Sequence, residues 1–313
     1  MGQKLGQHFL KNKKILHAIA EVTELRVGET VIEIGPGHGE LTEYLSAKGG
    51  SLPDGGRDAS GGKSKNCKMI LIEKDKILAE QLKKRFEKDK NIKIICGDAL
   101  KILPRIVSSL SRKSSSLATS SGGGSLPDGK RRAPSAKNPN YIIVGNIPYY
   151  ITGYLLRTIQ ELEKRPARTV VMIQKEVALR MVKKPPEMNL LAASVAYWAD
   201  AKIVMSVPKK EFSPQPKIDS AVIALYTKKT HLKNRGKEEE KYYKTLATLF
   251  KQPRKTIKNN ITLSYRSANA CNMGNKEKLF EKLEKAGIHI EWRPQNLGVD
   301  EIKKVADMLY NKN

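Results

Sequence analysis

Cysteine and histidine are scarce in this chain. Its 313 residues include three cysteines, Cys67, Cys96 and Cys271, far apart and odd in number. They form no Cys-x-x-Cys, so neither a disulfide framework nor a zinc site is expected, and a reducing cytoplasm is the default setting. The five histidines include no close pair and no His-Glu-x-x-His, so no metal centre is predicted. Long apolar runs are missing too. The longest, Leu190 to Ala199, is half of the ~20 residues a membrane span needs. Met1 to Lys14 is too polar for a signal peptide, and Gly6 stands where a myristoylation pattern requires Ser or Thr. Acidic residues are the last shortage: 32 Asp and Glu face 58 Lys and Arg, a formal net charge of +26. Such a surplus implies an anionic partner, nucleic acid or an acidic membrane surface, unless it is simply a solvated basic exterior.

The chain is long enough for two domains. Apolar, β-branched runs at 30–34, 68–72, 92–95, 141–144 and 169–173 read as strands. They alternate with helical patterns at 39–47, 76–88 and 151–163, after a short amphipathic helix at 11–23. This alternation predicts a doubly wound, mostly parallel α/β sheet. Two more strands, 203–207 and 220–226, have no long helix between them and are expected to add an antiparallel edge, making seven in all. Helical patterns at 237–251, 275–286 and 299–311 then predict a small helical domain. The expected division is 1–227 and 228–313.

Two Gly-, Ser-, Pro- and Lys-rich segments interrupt the pattern, 49–66 and 108–140, and share the heptapeptide Gly-Gly-Ser-Leu-Pro-Asp-Gly at 49–55 and 123–129. Both read as disordered surface loops; the alternative for the second is a nucleic-acid tether built on Lys130, Arg131 and Arg132. With both segments set aside the remainder still carries +20 of the +26, so the basic excess belongs to the core of the sequence.

Glu33-Ile-Gly35-Pro-Gly37-His-Gly39 follows the first strand and opens a helix. Glycines there let the backbone turn sharply and approach a ligand. Glu40 breaks the dinucleotide fingerprint, and no lysine follows to make a phosphate loop. The pattern resembles the loop of class I S-adenosylmethionine methyltransferases. Glu73 ends the second strand 38 residues after Gly35, or 20 once the first insertion is removed, near the spacing of an acid that reads ribose hydroxyls. It is that acid or an ordinary strand-end carboxylate. Asp98 either caps a helix or accepts the adenine amino group of the cofactor.

Asn146-Ile147-Pro148-Tyr149 follows the fourth strand. An exocyclic base amine is a poor nucleophile because its lone pair is delocalised into the ring. The Asn146 side-chain oxygen and the Ile147 carbonyl can accept its two protons and aim the lone pair, Pro148 stiffens the turn, and Tyr149 can stack on an extruded base.

Over nearly its whole length outside the insertions, the chain resembles the KsgA-type ribosomal RNA adenine dimethyltransferases of the small subunit. The likeness rests on Gly6-Gln-His8-Phe-Leu10, the motifs above, Gln174-Lys-Glu-Val-Ala178, Phe212-Ser-Pro-Gln-Pro-Lys-Ile-Asp219-Ser220-Ala-Val, Phe250-Lys251-Gln-Pro253-Arg254-Lys255-Thr-Ile and Arg293-Pro-Gln-Asn-Leu297. It implies cofactor contacts at His8, Leu10, Gly35, Gly37, Glu73, Asp98 and Asn146, with Tyr149 and Phe212 holding the target adenine. It also implies N6,N6-dimethylation of two adjacent adenosines near the 3′ end of small-subunit rRNA, during late subunit assembly, by a monomer. Tyr150 and Pro253 depart from the family pattern, which has Asn and a basic residue there.

Residues 241–266 hold seven basic side chains and no acid, with Tyr242, Tyr243 and Phe250 interleaved. Lys251, Arg254, Lys255 and Lys258 are therefore expected to meet RNA; the alternative is a solvated helix face whose aromatics pack inward, and for Tyr243 and Phe250 taken singly inward packing is the expectation. The rival readings are a large-subunit adenine methyltransferase of the macrolide-resistance type and a non-catalytic rRNA-binding assembly factor.

Overall fold

A computed structural model of the chain describes residues 8–26, 28–48, 67–119, 141–232, 236–267 and 274–310. The insertion at 49–66, the tether residues 130–132 and Gly6-Gln7 lie outside them.

The chain divides into two compact units, Met1–Ala178 with Lys202–Asn234, and Leu179–Ala201 with Arg235–Asn313. The first opens with β1 (Phe9–Leu10) and α1 (Lys13–Val22), whose first turn is capped by the Asn12 side chain accepting from Lys14 N at 2.9 Å. Then come β2 (Thr30–Ile34), α2 (Glu40–Lys48), β3 (Lys68–Glu73), α3 (Lys76–Arg85), β4 (Ile92–Cys96), α4 (Ala99–Thr119), β5 (Tyr141–Asn146), α5 (Thr152–Glu161), β6 (Arg168–Gln174) and α6 (Lys175–Met181). After α7 (Leu190–Trp198) follow β7 (Ala199–Val207), β8 (Phe212–Ser213) and β9 (Ser220–Thr227).

Seven strands form one sheet in the order β4-β3-β2-β5-β6-β9-β7. The five strands from β4 to β6 are parallel, and β9 runs antiparallel to β6. All five residues of β2, and Ile142, Ile143 and Val144 of β5, are buried, so the central strands carry apolar side chains on both faces. Leu16, Ile19 and Ala20 of α1 and Leu45 of α2 join Val31, Leu71, Val144 and Met172 in one core.

A buried ion pair fastens the start of β6 to the loop after α1. Arg168 meets both oxygens of Glu29 at 2.6 and 3.1 Å and donates to the carbonyls of Thr23 and Glu24 at 2.9 and 3.1 Å. Both side chains are 5% exposed. The guanidinium fork matches carboxylate and carbonyls at once, so neither charge is buried unpaired.

Two expectations are corrected. Residues 108–119 are helical, not loop: α4 continues through them from a segment in which Leu103, Ile106 and Val107 are buried, so a packed first half propagates helix into the Ser- and Lys-rich half. A small second sheet was also missed. β1 pairs antiparallel with β8, Phe9 opposite Ser213 and Leu10 opposite Phe212.

The second unit contains α7, α8 (Lys237–Leu249), α9 (Ile257–Ser267), α10 (Gly274–Lys285) and α11 (Val299–Tyr310). Helix α7 has no polar face; Ala192, Ala193, Val195, Tyr197 and Trp198 are all buried. It is covered by α8: Tyr197 and Tyr242 pack with ring centroids 4.2 Å apart, and the Tyr242 hydroxyl donates to the Ala193 carbonyl at 3.0 Å. This is why 179–201 folds with the C-terminal helices. Among the described residues no helix is long and apolar enough to cross a membrane.

Candidate active site

A cleft opens at the carboxyl ends of the parallel strands. It is lined by His8, Gly35, Gly37, Glu73, Asp98, Asn146, Ile147, Pro148, Tyr149 and Phe212 among the residues singled out in the sequence. Open α/β sheets bind ligands at this edge, because successive loops there diverge from one another.

The Gly loop forms one wall. Gly35 N donates to the Ile72 carbonyl at 3.0 Å, tying the end of β2 to β3. Gly37 has φ +62, and a Cβ on it would come within 2.9 Å of the Phe9 ring. Both its backbone conformation and its contact with β1 therefore require glycine. Its N–H points at Glu73 Oε2, 3.2 Å away. Glu73 Oε1 accepts from Asp75 N at 2.9 Å. The Glu73 side chain is almost completely buried, and burial raises its pKa, although the hydrogen bonds from Asp75 and Gly37 pull the other way.

Glu33, behind the same loop, is 1% exposed and accepts from the Thr42 hydroxyl at 2.7 Å. Its pKa is pushed up to about 8, chiefly by burial, with Glu40 and Glu73 adding to the effect and the Thr42 hydrogen bond opposing it. Glu33 thus joins β2 to α2 beneath the loop and is not among the residues lining the cleft.

Asp98 plays the capping part at least: Oδ1 accepts from Leu100 N at 3.0 Å, and Oδ2 lies 3.4 Å from Lys74 Nζ. It also lines the cleft.

Across the cleft, β5 ends in Gly145-Asn146. A Cβ at Gly145 would sit 2.3 Å from the Ile34 carbonyl, so glycine lets β5 lie close against β2. Asn146 Nδ2 donates to the His8 carbonyl at 2.8 Å, which fixes the amide and leaves Oδ1 as its free acceptor. His8 is itself held, because its Nδ1–H donates to the Pro214 carbonyl at 2.8 Å. Lys11 N donates to the Glu211 carbonyl at 2.9 Å and Asn12 Nδ2 to the Glu211 carboxylate at 2.7 Å. The N-terminal strand is thus pinned along 211–214, and the sequence motifs at 8–10 and 212–222 meet.

Ser220 shares a 2.9 Å hydrogen bond with the Tyr149 hydroxyl. The Tyr149 and His8 rings lie 6.1 Å apart with planes inclined by 30°. Phe212 is both core and cleft wall, 5% exposed.

Leu10 departs from its expected place. Its side chain is in the core and absent from the cleft lining, because successive residues of a strand face opposite ways and Phe9 takes the cleft side. Only its main chain is left to meet a cofactor. Phe9, Ile34, Ile72, Lys74, Gly97, Ala99, Tyr150 and Ile151 also line the cleft without having been predicted. For Phe9 the signal was present, an aromatic between two motif residues.

Lys251, Arg254, Lys255 and Lys258 belong to the second unit and are exposed. Lys258 is 3.3 Å from Glu291. The aromatics of that stretch follow the inward-packing alternative: Phe250 is buried and Tyr243 half-buried with its hydroxyl on the Ser194 carbonyl at 2.9 Å, as expected of these two, and Tyr242 is buried as well. They pack the helices and present no stacking face.

Comparison with known proteins bears on the family and the fold. A family model described as ribosomal RNA adenine dimethylase matches residues 2–50 and 63–291, stepping over most of the first insertion. Ribosomal RNA small subunit methyltransferase A of Moorella thermoacetica is 31% identical over 308 residues, covering 97% of this chain and 91% of its own. The protein of the same name from Mycoplasma capricolum is 30% identical over 311 residues, covering 98% and 97%. Among solved structures, a dimethyladenosine transferase from Plasmodium falciparum has a TM-score of 0.67 at 22% identity, covering 95% of each chain. The 23S rRNA methyltransferase ErmE has a TM-score of 0.60 at 21% identity, covering 96% of this chain and 99% of its own. The first unit therefore has the class I methyltransferase fold, and the chain belongs to the ribosomal RNA adenine dimethylase family.

Proposed function

We propose that the protein uses S-adenosylmethionine to convert two adjacent adenosines near the 3′ end of small-subunit rRNA to N6,N6-dimethyladenosine, acting as a cytoplasmic monomer late in subunit assembly. One observation carries the chemical part: the Asn146 amide is locked by the His8 carbonyl at 2.8 Å inside the cleft that also holds Glu73 and the Gly loop.

The cleft's donor set suits this cofactor. Gly35 and Gly37 offer close backbone approach, Glu73 keeps lone pairs for two ribose hydroxyls, and Asp98 keeps one for an adenine amino group. His8, Asn146 and the Leu10 main chain close the other side. When bound, the cofactor supplies an electrophilic methyl group.

The acceptor end belongs to 146–149. With Nδ2 engaged by His8, Asn146 Oδ1 accepts a hydrogen bond from one N–H of the adenine amino group, and the Ile147 carbonyl accepts one from the other. Holding both N–H bonds draws the nitrogen toward a pyramidal shape and directs its lone pair. Tyr149, steadied by Ser220, offers its ring to the extruded base. No strong base is needed, since alignment and hydrogen bonding lower the barrier.

Relatives bearing the small-subunit name span nearly the whole chain, which favours the small subunit over the large. The intact Asn146, Pro148 and Tyr149 favour catalysis over a binding-only role. The test is incubation with labelled S-adenosylmethionine and either unmethylated small subunits or large-subunit rRNA, with modified adenosines mapped by mass spectrometry. N6-dimethylation confined to the small-subunit substrate is expected; none there refutes the reading.

A further inference from the structure

Among the described residues seven large apolar side chains are exposed, three of them tyrosines. Two of those tyrosines stand four positions apart beside the acceptor motif: Tyr150 is 55% exposed and Tyr154 67% exposed. Tyr150 also lines the cleft while more than half exposed, which places this residue at the boundary between the cleft and solvent. Residues 149–151 make a single tight turn closed by Ile151 N on the Pro148 carbonyl at 3.0 Å, and α5 follows directly. Thr152 is buried and Gly153 has no neighbour within 4 Å of a built Cβ. Of the intervening residues only Ile151, partly buried and itself in the cleft lining, carries a large side chain near solvent, and both tyrosines remain more than half exposed.

Exposed tyrosine rings leave apolar faces in water. When one base is drawn out of an RNA strand into a pocket, its neighbour loses a stacking partner at the same moment. An aromatic face at the pocket lip replaces that partner, and stacking of this kind is tolerant of base identity. Tyr149 and Tyr150 are thereby distinguished by their surroundings: the first is anchored to Ser220 inside the cleft, the second is turned outward.

We propose that Tyr150 and Tyr154 form a stacking shelf at the cleft lip for the RNA base adjacent to the adenine being methylated. The proposal rests on the RNA methylation reading above and extends it to a second base. For a substrate with two adjacent target adenosines, the shelf holds one while the other is in the cleft.

The test uses the full-length protein and an RNA with 2-aminopurine next to a target adenosine, bound in the presence of S-adenosylhomocysteine so that no transfer occurs. Wild-type protein is expected to change the 2-aminopurine fluorescence through stacking, and Tyr150→Ala to lose that change while Tyr150→Phe keeps it. In turnover with small subunits, Tyr150→Ala should raise KM about tenfold, the scale of one lost aromatic–base stack. S-adenosylmethionine affinity is expected to fall by a clearly smaller factor than KM rises. Tyr154→Ala, which does not line the cleft, should raise KM by a smaller factor. The shelf is refuted by an unchanged fluorescence response in Tyr150→Ala, by Tyr150→Phe behaving like Tyr150→Ala, or by a loss of cofactor affinity matching the rise in KM. Absence of transfer by wild-type protein strikes the methylation reading instead, because the fluorescence readout needs no turnover.

Discussion

The core of the first unit and the 251–258 segment of the second use charge in opposite ways. In the first, Glu29, Glu73 and Arg168 are buried, and each has hydrogen-bonding partners. In the second, Lys251, Arg254 and Lys255 are exposed, and no partner for their charges is found among the described residues. Buried charge has directional, weakly screened interactions and can set geometry, whereas exposed charge sets only a field that salt screens. Fine positioning in the first unit therefore rests on buried pairs, whereas exposed charge such as that of 251–258 is suited to long-range attraction of an anionic partner.

The severest challenge to that contrast is Arg168→Ala. It strands the Glu29 carboxylate and removes the donor to two carbonyls, so a loss of about 3–5 kcal/mol of stability is expected in chemical denaturation. Near-wild-type stability would mean the pair positions nothing. Asn146→Ala removes one hydrogen-bond acceptor for the substrate amine and should lower single-turnover methyl transfer by roughly 10²–10³-fold while RNA binding persists. Normal transfer would place the acceptor site elsewhere.

The third test changes a slope. Glu33 has a folded pKa of about 8 against an ordinary value of 4.5, so the folded state holds its proton where the unfolded chain has released it. Its contribution to stability is full below pH 4.5 and declines as pH rises to about 8. Glu33→Gln keeps the acceptor for Thr42 and should flatten this decline when denaturation midpoints are compared across that window; an unchanged slope would exonerate Glu33. The smallest effect is expected from Arg254→Gln with Lys255→Gln: weaker RNA binding at all sequences, a salt slope shallower by about 1 per lost phosphate contact, and unchanged cofactor affinity. Lys258→Gln should do less, since Glu291 already neutralises part of its charge.

Much of the first unit was legible because its elements are long and periodic. Strands such as Thr30–Ile34 and Tyr141–Asn146 are mostly apolar and β-branched, and Glu73, Gly37 and Asn146 fall at or just after strand ends where such sheets gather ligands. What escaped was set by distant contacts. A two-residue strand such as Phe9–Leu10 has no period to detect, so neither its pairing with Phe212–Ser213 nor the inward turn of Leu10 could be read. The Ser-rich half of α4 looks like a loop by composition, yet it extends a helix anchored at Leu103 and Val107. Tyr242 sits among lysines in sequence but faces the helical core, because a helix shows its charged and apolar sides to different neighbours.

The fastening of β1 to β8 has a consequence for the order of events during synthesis. The His8 carbonyl that orients Asn146 is held through Pro214, some two hundred residues downstream. A growing chain that has already produced every parallel strand, β2 to β6, still lacks the segment that seats its own beginning. The Asn146 amide, the proposed acceptor of the base, is thus seated only when residues near 214 have emerged, so a truncated product can own a finished Gly loop without a seated Asn146.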